Sequence, residues 1–199
     1  MLQLLAVISA LLFLAAAPPY ILDTVRGKTK PERATWFIWS VLGIIAFVSQ
    51  VSLGAQWSLV FAGFDALGSI ITFSLSLRFG VGGWTRLDRL AFIIAAAGVA
   101  VSLAAHNPVI ALLGVILADA SGTVVTVRKT FLAPDTETTI SWLLVGTGAL
   151  SGVLAVGRLD WALILYPAYL MLANYCIPVT QVIGRAYWRM HKRAPQPIV

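Results

Sequence analysis

The sequence predicts an all-α membrane protein. Seven transmembrane helices form two parallel three-helix bundles joined by a linker helix (3+1+3), with the amino terminus outside and the carboxyl terminus cytoplasmic. Three observations predict it: composition, the lopsided placement of basic residues, and an internal repeat. The 199-residue chain is 59% hydrophobic and 11% charged, with mean hydropathy +0.90. A soluble domain of this size cannot hide that much apolar surface, so most of its solvent is lipid.

Apolar runs long enough to cross roughly 30 Å of hydrocarbon follow one another along the chain. They cover residues 2–22, 35–53, 57–77, 90–105, 108–127, 139–156 and 161–183, and the fourth is short. None alternates apolar and polar residues as a β-barrel strand does. The first run ends in small residues, Leu14 to Ala17, like a signal peptide. No Lys or Arg precedes Arg26, however, so it reads as a retained first helix.

Basic residues set the orientation. Arg26, Lys28, Lys30 and Arg33 lie between the first two spans, and Arg78, Arg86 and Arg89 between the third and fourth. Arg128 and Lys129 lie between the fifth and sixth; Arg185, Arg189, Lys192 and Arg193 follow the seventh. Only Arg158 falls on the other side, so 13 of the 14 basic residues face the cytoplasm. The net charge of +6 is then a matter of topology and anionic lipid, with no nucleic-acid partner implied. The stretch 185–193 reads as a juxtamembrane anchor with Trp188 at the interface.

The repeat sets the architecture. Thr24-Val25-Arg26 recurs as Thr126-Val127-Arg128, Pro31-Glu32 as Pro134-Asp135, and Trp39 with Gly43 as Trp142 with Gly146. One copy joins spans one and two, the other spans five and six. A three-helix unit ends on the side opposite its start, so two units in the same orientation need one extra crossing between them. The predicted parts are a first bundle (1–80), a linker helix (81–106), a second bundle (107–188) and a cytoplasmic tail (189–199).

The motif residues carry a family resemblance. Pro19-Tyr20, Arg26 and Lys28-Thr29-Lys30-Pro31 resemble the helix-one motif and following turn of the PQ-loop superfamily, in particular the SWEET sugar transporters and the half-sized SemiSWEETs. The likeness covers residues 15–80 well and 118–186 weakly. It implies parallel repeats related by an axis along the membrane normal. It also implies a small-solute transporter of the cell membrane working by alternating access, with a sugar as the expected substrate and uniport the expected mode. Departures are Tyr20 where the motif has Gln, and Ala120-Ser121-Gly122 where the second copy would have Pro. The neighbourhoods Phe47–Gln50 and Leu154–Val156 hold no sugar-stacking Trp.

In the SWEET pattern each repeat offers an Asn from its third helix to the substrate. Asp65 stands 13 residues before Arg78 and Asn174 stands 11 before Arg185, giving similar depths and a candidate substrate-binding pair. Polar groups in lipid are expensive and need a reason. Asp119, followed by Ser121, Gly122 and Thr123, is a candidate proton carrier, as is Asp65. This opens a second expectation, a proton-coupled carrier of amino acids or cationic metabolites. Pro19, Tyr20 and Pro167 suit a hinge or gate, because proline breaks the helical hydrogen-bond ladder. Asp23 is expected to pair with Arg26 or Lys28, or to act as a gate contact. Trp36, Trp39 and Trp142 read as interface-belt residues, with Trp39 and Trp142 alternatively lining an inner vestibule.

Enzyme chemistry finds no support. His106 and His191 lack metal-ligand spacing, Cys176 is the single cysteine, and no cofactor or metal is implied. Gly80-Val81-Gly82-Gly83 reads as a flexible turn. A membrane receptor or scaffold of the same helical plan is the expectation from another class, and a homo-oligomer is compatible with either.

Overall fold

A computed structural model describes residues 1–52 and 57–191. Among these residues the chain is all helical: α1 (Leu2–Val25), α2 (Arg33–Ser52), α3 (Trp57–Phe79), α4 (Arg86–Ala104), α5 (Pro108–Leu132), α6 (Thr139–Ala155) and α7 (Trp161–Met190). A short 3-10 turn, Pro134–Thr136, lies between α5 and α6. Five of these helices, α1, α2, α4, α5 and α7, are long and apolar enough to cross a membrane, while α6 is apolar but shorter at 17 residues.

Local chemistry explains the boundaries. Thr85 caps α4 in a capping box with Asp88, so the helix starts at Arg86, four residues before the apolar run. The short apolar helix is therefore α6, not the fourth. Asn107 caps α5 ahead of Pro108, and Asp160 caps α7 through the amides of Ala162 and Leu163. After α1 the chain turns at Gly27, whose φ of 72° is a left-handed geometry that glycine reaches without a Cβ clash. Helix α7 continues through Arg185 and Arg189, well beyond the apolar run, because hydropathy stops at the first charge and a helix need not. Its Trp188 donates to the Phe131 carbonyl at 2.8 Å, and Arg185 pairs with Asp135 at 2.7 Å. These contacts tie α7 to the α5–α6 connection. Lys192 and Arg193 lie outside the described residues.

Polarity is inverted relative to a water-soluble fold. Ile93, Leu103, Leu172 and Val182 are exposed, whereas Thr24, Thr35, Thr126, Thr130 and Gln181 are fully buried. Lipid tails are as apolar as leucine, so helices associate through close packing and interhelical hydrogen bonds rather than by hiding apolar surface. Helices α4 and α5 illustrate the packing term. A Cβ placed on Gly98 would lie 2.5 Å from the Gly114 carbonyl oxygen, and one on Gly114 would lie 2.5 Å from that of Gly98. The hydrogen-bond term joins α2 to α5: Thr35 donates to the Gly122 carbonyl at 2.9 Å and accepts from Thr126 at 2.9 Å.

The helices pack in a closed circuit. Helix α1 touches α3 and α6, α3 touches α2, α2 touches α5, α5 touches α7, and α7 touches α6. Helix α4 stands outside it, against α5 and α2.

The turn expected to be flexible is pinned. Arg33 donates to the carbonyls of Ser76, Gly80 and Gly82 at 2.7–3.0 Å, and Glu32 forms an isolated parallel bridge with Val81. The Asp88 carboxylate accepts from the amides of Gly83 and Thr85. Arg33 thus satisfies carbonyls left over at the end of α3 rather than standing free as a topology charge.

Candidate functional site: a cavity enclosed by the helix circuit

A cavity of about 1130 Å³ opens between the helices of the circuit and reaches Ser102 and Leu103 of α4. Toward the ends away from the basic loops it reaches Ser9, Ser49, Gly152 and Tyr166. Toward the basic loops it stops at Tyr20, Trp36 and Ile177, with no lining residue from the α1–α2 or α5–α6 connection among those described.

Its floor is a ring of four aromatic side chains. Centroid distances run 5.0 Å from Tyr20 to Trp36, 5.2 Å from Trp36 to Trp39, 5.9 Å from Trp39 to Trp142 and 5.8 Å from Trp142 back to Tyr20. Each such pair is worth about 0.5–1.5 kcal/mol beyond area burial. Trp36 Nε1 donates to the Tyr20 hydroxyl at 3.2 Å and Trp142 Nε1 to Glu137 at 2.8 Å, so the floor is hydrogen-bonded as well as stacked. Trp142 is only 6% exposed, which overturns the belt reading: these tryptophans face inward, across α1, α2 and α6. Tyr20 is the residue that completes the ring.

Below the floor the two connections are laced together. Thr138 shares a short hydroxyl contact with Thr29 and donates to Asp23 at 3.2 Å, and Lys30 N donates to the Thr136 carbonyl at 3.1 Å. The Asp23 carboxylate therefore bonds the opposite connection rather than the side chain of Arg26 or Lys28, while its backbone carbonyl accepts from the Lys28 amide at 2.9 Å. Lys129, counted among the surface charges that set topology, is buried. Its ammonium meets Glu137 at 2.6 Å and the Thr136 carbonyl at 2.8 Å. Removing one partner of such a pair typically costs about 3–5 kcal/mol, because the other charge is left buried alone.

The predicted pocket pair, Asp65 and Asn174, lines this single cavity. A packing detail shows why they correspond. A Cβ on Gly43 of α2 would lie 3.0 Å from Ala66 of α3, and one on Gly146 of α6 would lie 2.8 Å from Tyr175 of α7. Gly43 and Gly146 are the paired glycines of the repeat, and the residues just before their contacts are Asp65 and Asn174. The Asn174 amide donates to the Leu170 carbonyl of its own helix at 2.8 Å, so it does not staple two helices. Asp65 is accessible from the cavity and has no hydrogen bond or ion pair among the described residues.

Asp119 lines the cavity too, and its carboxylate accepts the Tyr169 hydroxyl at 2.5 Å. Its backbone oxygen accepts from Trp39 Nε1 at 3.4 Å. Asp65 is near enough to interact with it electrostatically, and Tyr166 lies within reach of both acids. Pro167 lines the wall and Pro19 sits inside α1; neither helix is interrupted at its prolines. Sequence reasoning missed Tyr166, Tyr169, Trp36 and Glu137 as participants. A usable signal existed for the tyrosines, two hydroxyls three residues apart in an apolar run. Among the described residues no group of three or more His, Cys, Asp or Glu could hold a metal ion.

An all-helical chain whose membrane-length apolar helices enclose a cavity carrying carboxyl groups is built as an integral membrane protein. No family model, curated protein or solved structure matches the chain. What it does has to be read from the cavity.

Proposed function

We propose that the protein is a small-solute transporter of the cell membrane that works by alternating access, with all seven helices crossing the bilayer as two parallel three-helix bundles and α4 as the linker. The observation that carries this reading is the cavity: polar groups midway along the helices, reached from one end and closed at the other by a stacked, hydrogen-bonded floor. A scaffold working through its outer surface has no use for such a cavity, and a receptor would bind a ligand there without carrying it across. The contact circuit supports the repeat, because α1–α3–α2 and α5–α7–α6 have the same internal order and the two joints, α1–α6 and α2–α5, are equivalent. Threonine hydroxyl pairs join the halves on both sides: Thr126 of α5 meets Thr35 of α2, and Thr29 meets Thr138 where the two connections touch.

Opening the basic side requires the floor and the Thr29–Thr138 contact to part while the other end closes. The resemblance to SWEET transporters makes a sugar the expected solute. Asp65 and Asp119 together favour the second reading, a carrier coupled to protons.

The test is uptake into proteoliposomes of purified protein, using a panel of sugars, amino acids and amines with and without a pH gradient. Saturable uptake of at least one solute is expected. Flux that ignores the pH gradient and survives Asp119→Asn removes the coupled version. Absence of flux for every solute, from protein that remains folded, removes the transport reading.

A further inference from the structure

We propose that the solute held in the cavity is an organic cation, bound as the counter-charge of Asp65 and Asp119. This rests on the transport reading for its physiological sense, but it is a statement about binding and stands on separate observations. The chain has 14 Lys and Arg residues, yet among the described residues no Lys, Arg or His lines the cavity. Among the described residues lining the cavity, the only charged groups of either sign are the two carboxyls, close enough to interact.

Their environments differ in a way that suggests a division of labour. Asp119 is fixed by the Tyr169 hydroxyl and by its place opposite Trp39. Asp65, accessible from the same space, has no partner among the described residues. A carboxyl without a partner inside a membrane protein marks a place where a partner arrives. An anion would meet like charge on entry, which selects against it. A neutral sugar would leave Asp65 without a counter-charge.

The remaining walls suit the rest of such a ligand. The aromatic floor presents Trp36 and Trp39, whose π-faces attract ammonium groups. Tyr166 and Asn174 provide polar contacts to orient it. A volume of about 1130 Å³ admits a small amine with its water. Asp65 is assigned the ionic contact, and Asp119, held by Tyr169, the second negative charge across the cavity.

The experiment uses the full-length protein in detergent and in proteoliposomes, with choline, putrescine and tetraethylammonium as cation probes and glucose as the neutral probe. At least one cation is expected to bind saturably and glucose not to compete with it. Asp65→Asn is expected to weaken cation binding about tenfold or more, the size of a lost ionic contact at intermediate dielectric. Asp65→Glu should retain binding within a few-fold, and melting curves of both variants establish that they fold. If Asp65→Asn does not fold, Asp119→Asn carries the same test.

Binding of glucose but of no cation overturns the proposal, and so does cation binding indifferent to both Asn variants, or no binding of any cation. Failure of the transport reading looks different: cations bind, Asp65→Asn weakens them, and no solute crosses the bilayer. Glucose flux without cation binding does the reverse, leaving a transporter and removing the cation.

Discussion

At the scale of single residues, the basic side of the molecule stores charge where water is scarce. Glu32 precedes α2, is 2% exposed, and offers one carboxylate oxygen to the Thr35 amide at 2.8 Å while the other lacks a partner among the described residues. Burial raises its pKa from 4.5 to about 7; the Thr35 amide opposes this and the Asp88 charge adds to it. A folded-state pKa above the unfolded one means that the folded protein binds more protons between these values. Stability conferred by the neutral acid is therefore full below about pH 4.5 and is lost as pH rises toward 7. Melting temperature in detergent should fall across that window. Glu32→Gln should flatten the fall, and an unchanged slope in that variant would reject the assignment. The sequence offers Glu32 only as a turn acid beside Pro31; the Val81 backbone bridge and the Asp88 charge that define its setting lie far along the chain.

At the scale of helices, contact geometry decides what composition leaves open. Glycine inside a helix costs about 1 kcal/mol relative to alanine, so Gly→Ala should stabilise wherever space exists. At Gly68 a Cβ would find Ala17 at 3.8 Å, an ordinary contact. At Gly98 it would lie 2.5 Å from a backbone oxygen of α5, which cannot rotate away. Overpacking of that kind costs about 1–3 kcal/mol and outweighs the propensity gain. Gly98→Ala should lower the melting temperature while Gly68→Ala leaves it level or raises it; equal effects would show that α4 does not need its close seat on α5. The helices themselves were legible in the apolar runs, to within a few residues. Ends were not, where Thr85 pulls α4 back to Arg86 or where α7 runs on past Ile183. Hydropathy reports the lipid boundary, whereas caps and tertiary contacts decide where a helix stops.

At the scale of the whole molecule, the closed basic side is a set of contacts between the two halves, and the proposed alternating access requires them to break. Thr29 and Thr138 touch through their hydroxyls, within the reach of a disulfide between substituted cysteines. In a Cys176→Ser background, oxidised Thr29→Cys/Thr138→Cys protein should lose solute flux and regain it on reduction. Flux that persists with the bond formed would show that this side does not open. The aromatic floor moves with the same step, since Tyr20 and Trp142 come from α1 and α6, the helices that meet at this joint.

The sequence alone determined the solvent, the helical class and the positions of the apolar runs, because these follow from composition and from one-dimensional periodicity. It also pointed to Asp65, Asp119 and Asn174, since a polar group in an apolar run is conspicuous without any structure. Only the tertiary structure decided that the three share one cavity. Spacing to Arg78 and Arg185 suggests that Asp65 and Asn174 correspond, but they lie 22 and 28 residues after Gly43 and Gly146, and only the two glycine contacts tie them to the repeat. It decided as well that Lys129 and Arg33 are structural groups rather than loose surface charges. A charged residue near a helix end reads the same in sequence whether it meets water or a buried carboxylate. The difference is made by what the rest of the chain brings beside it.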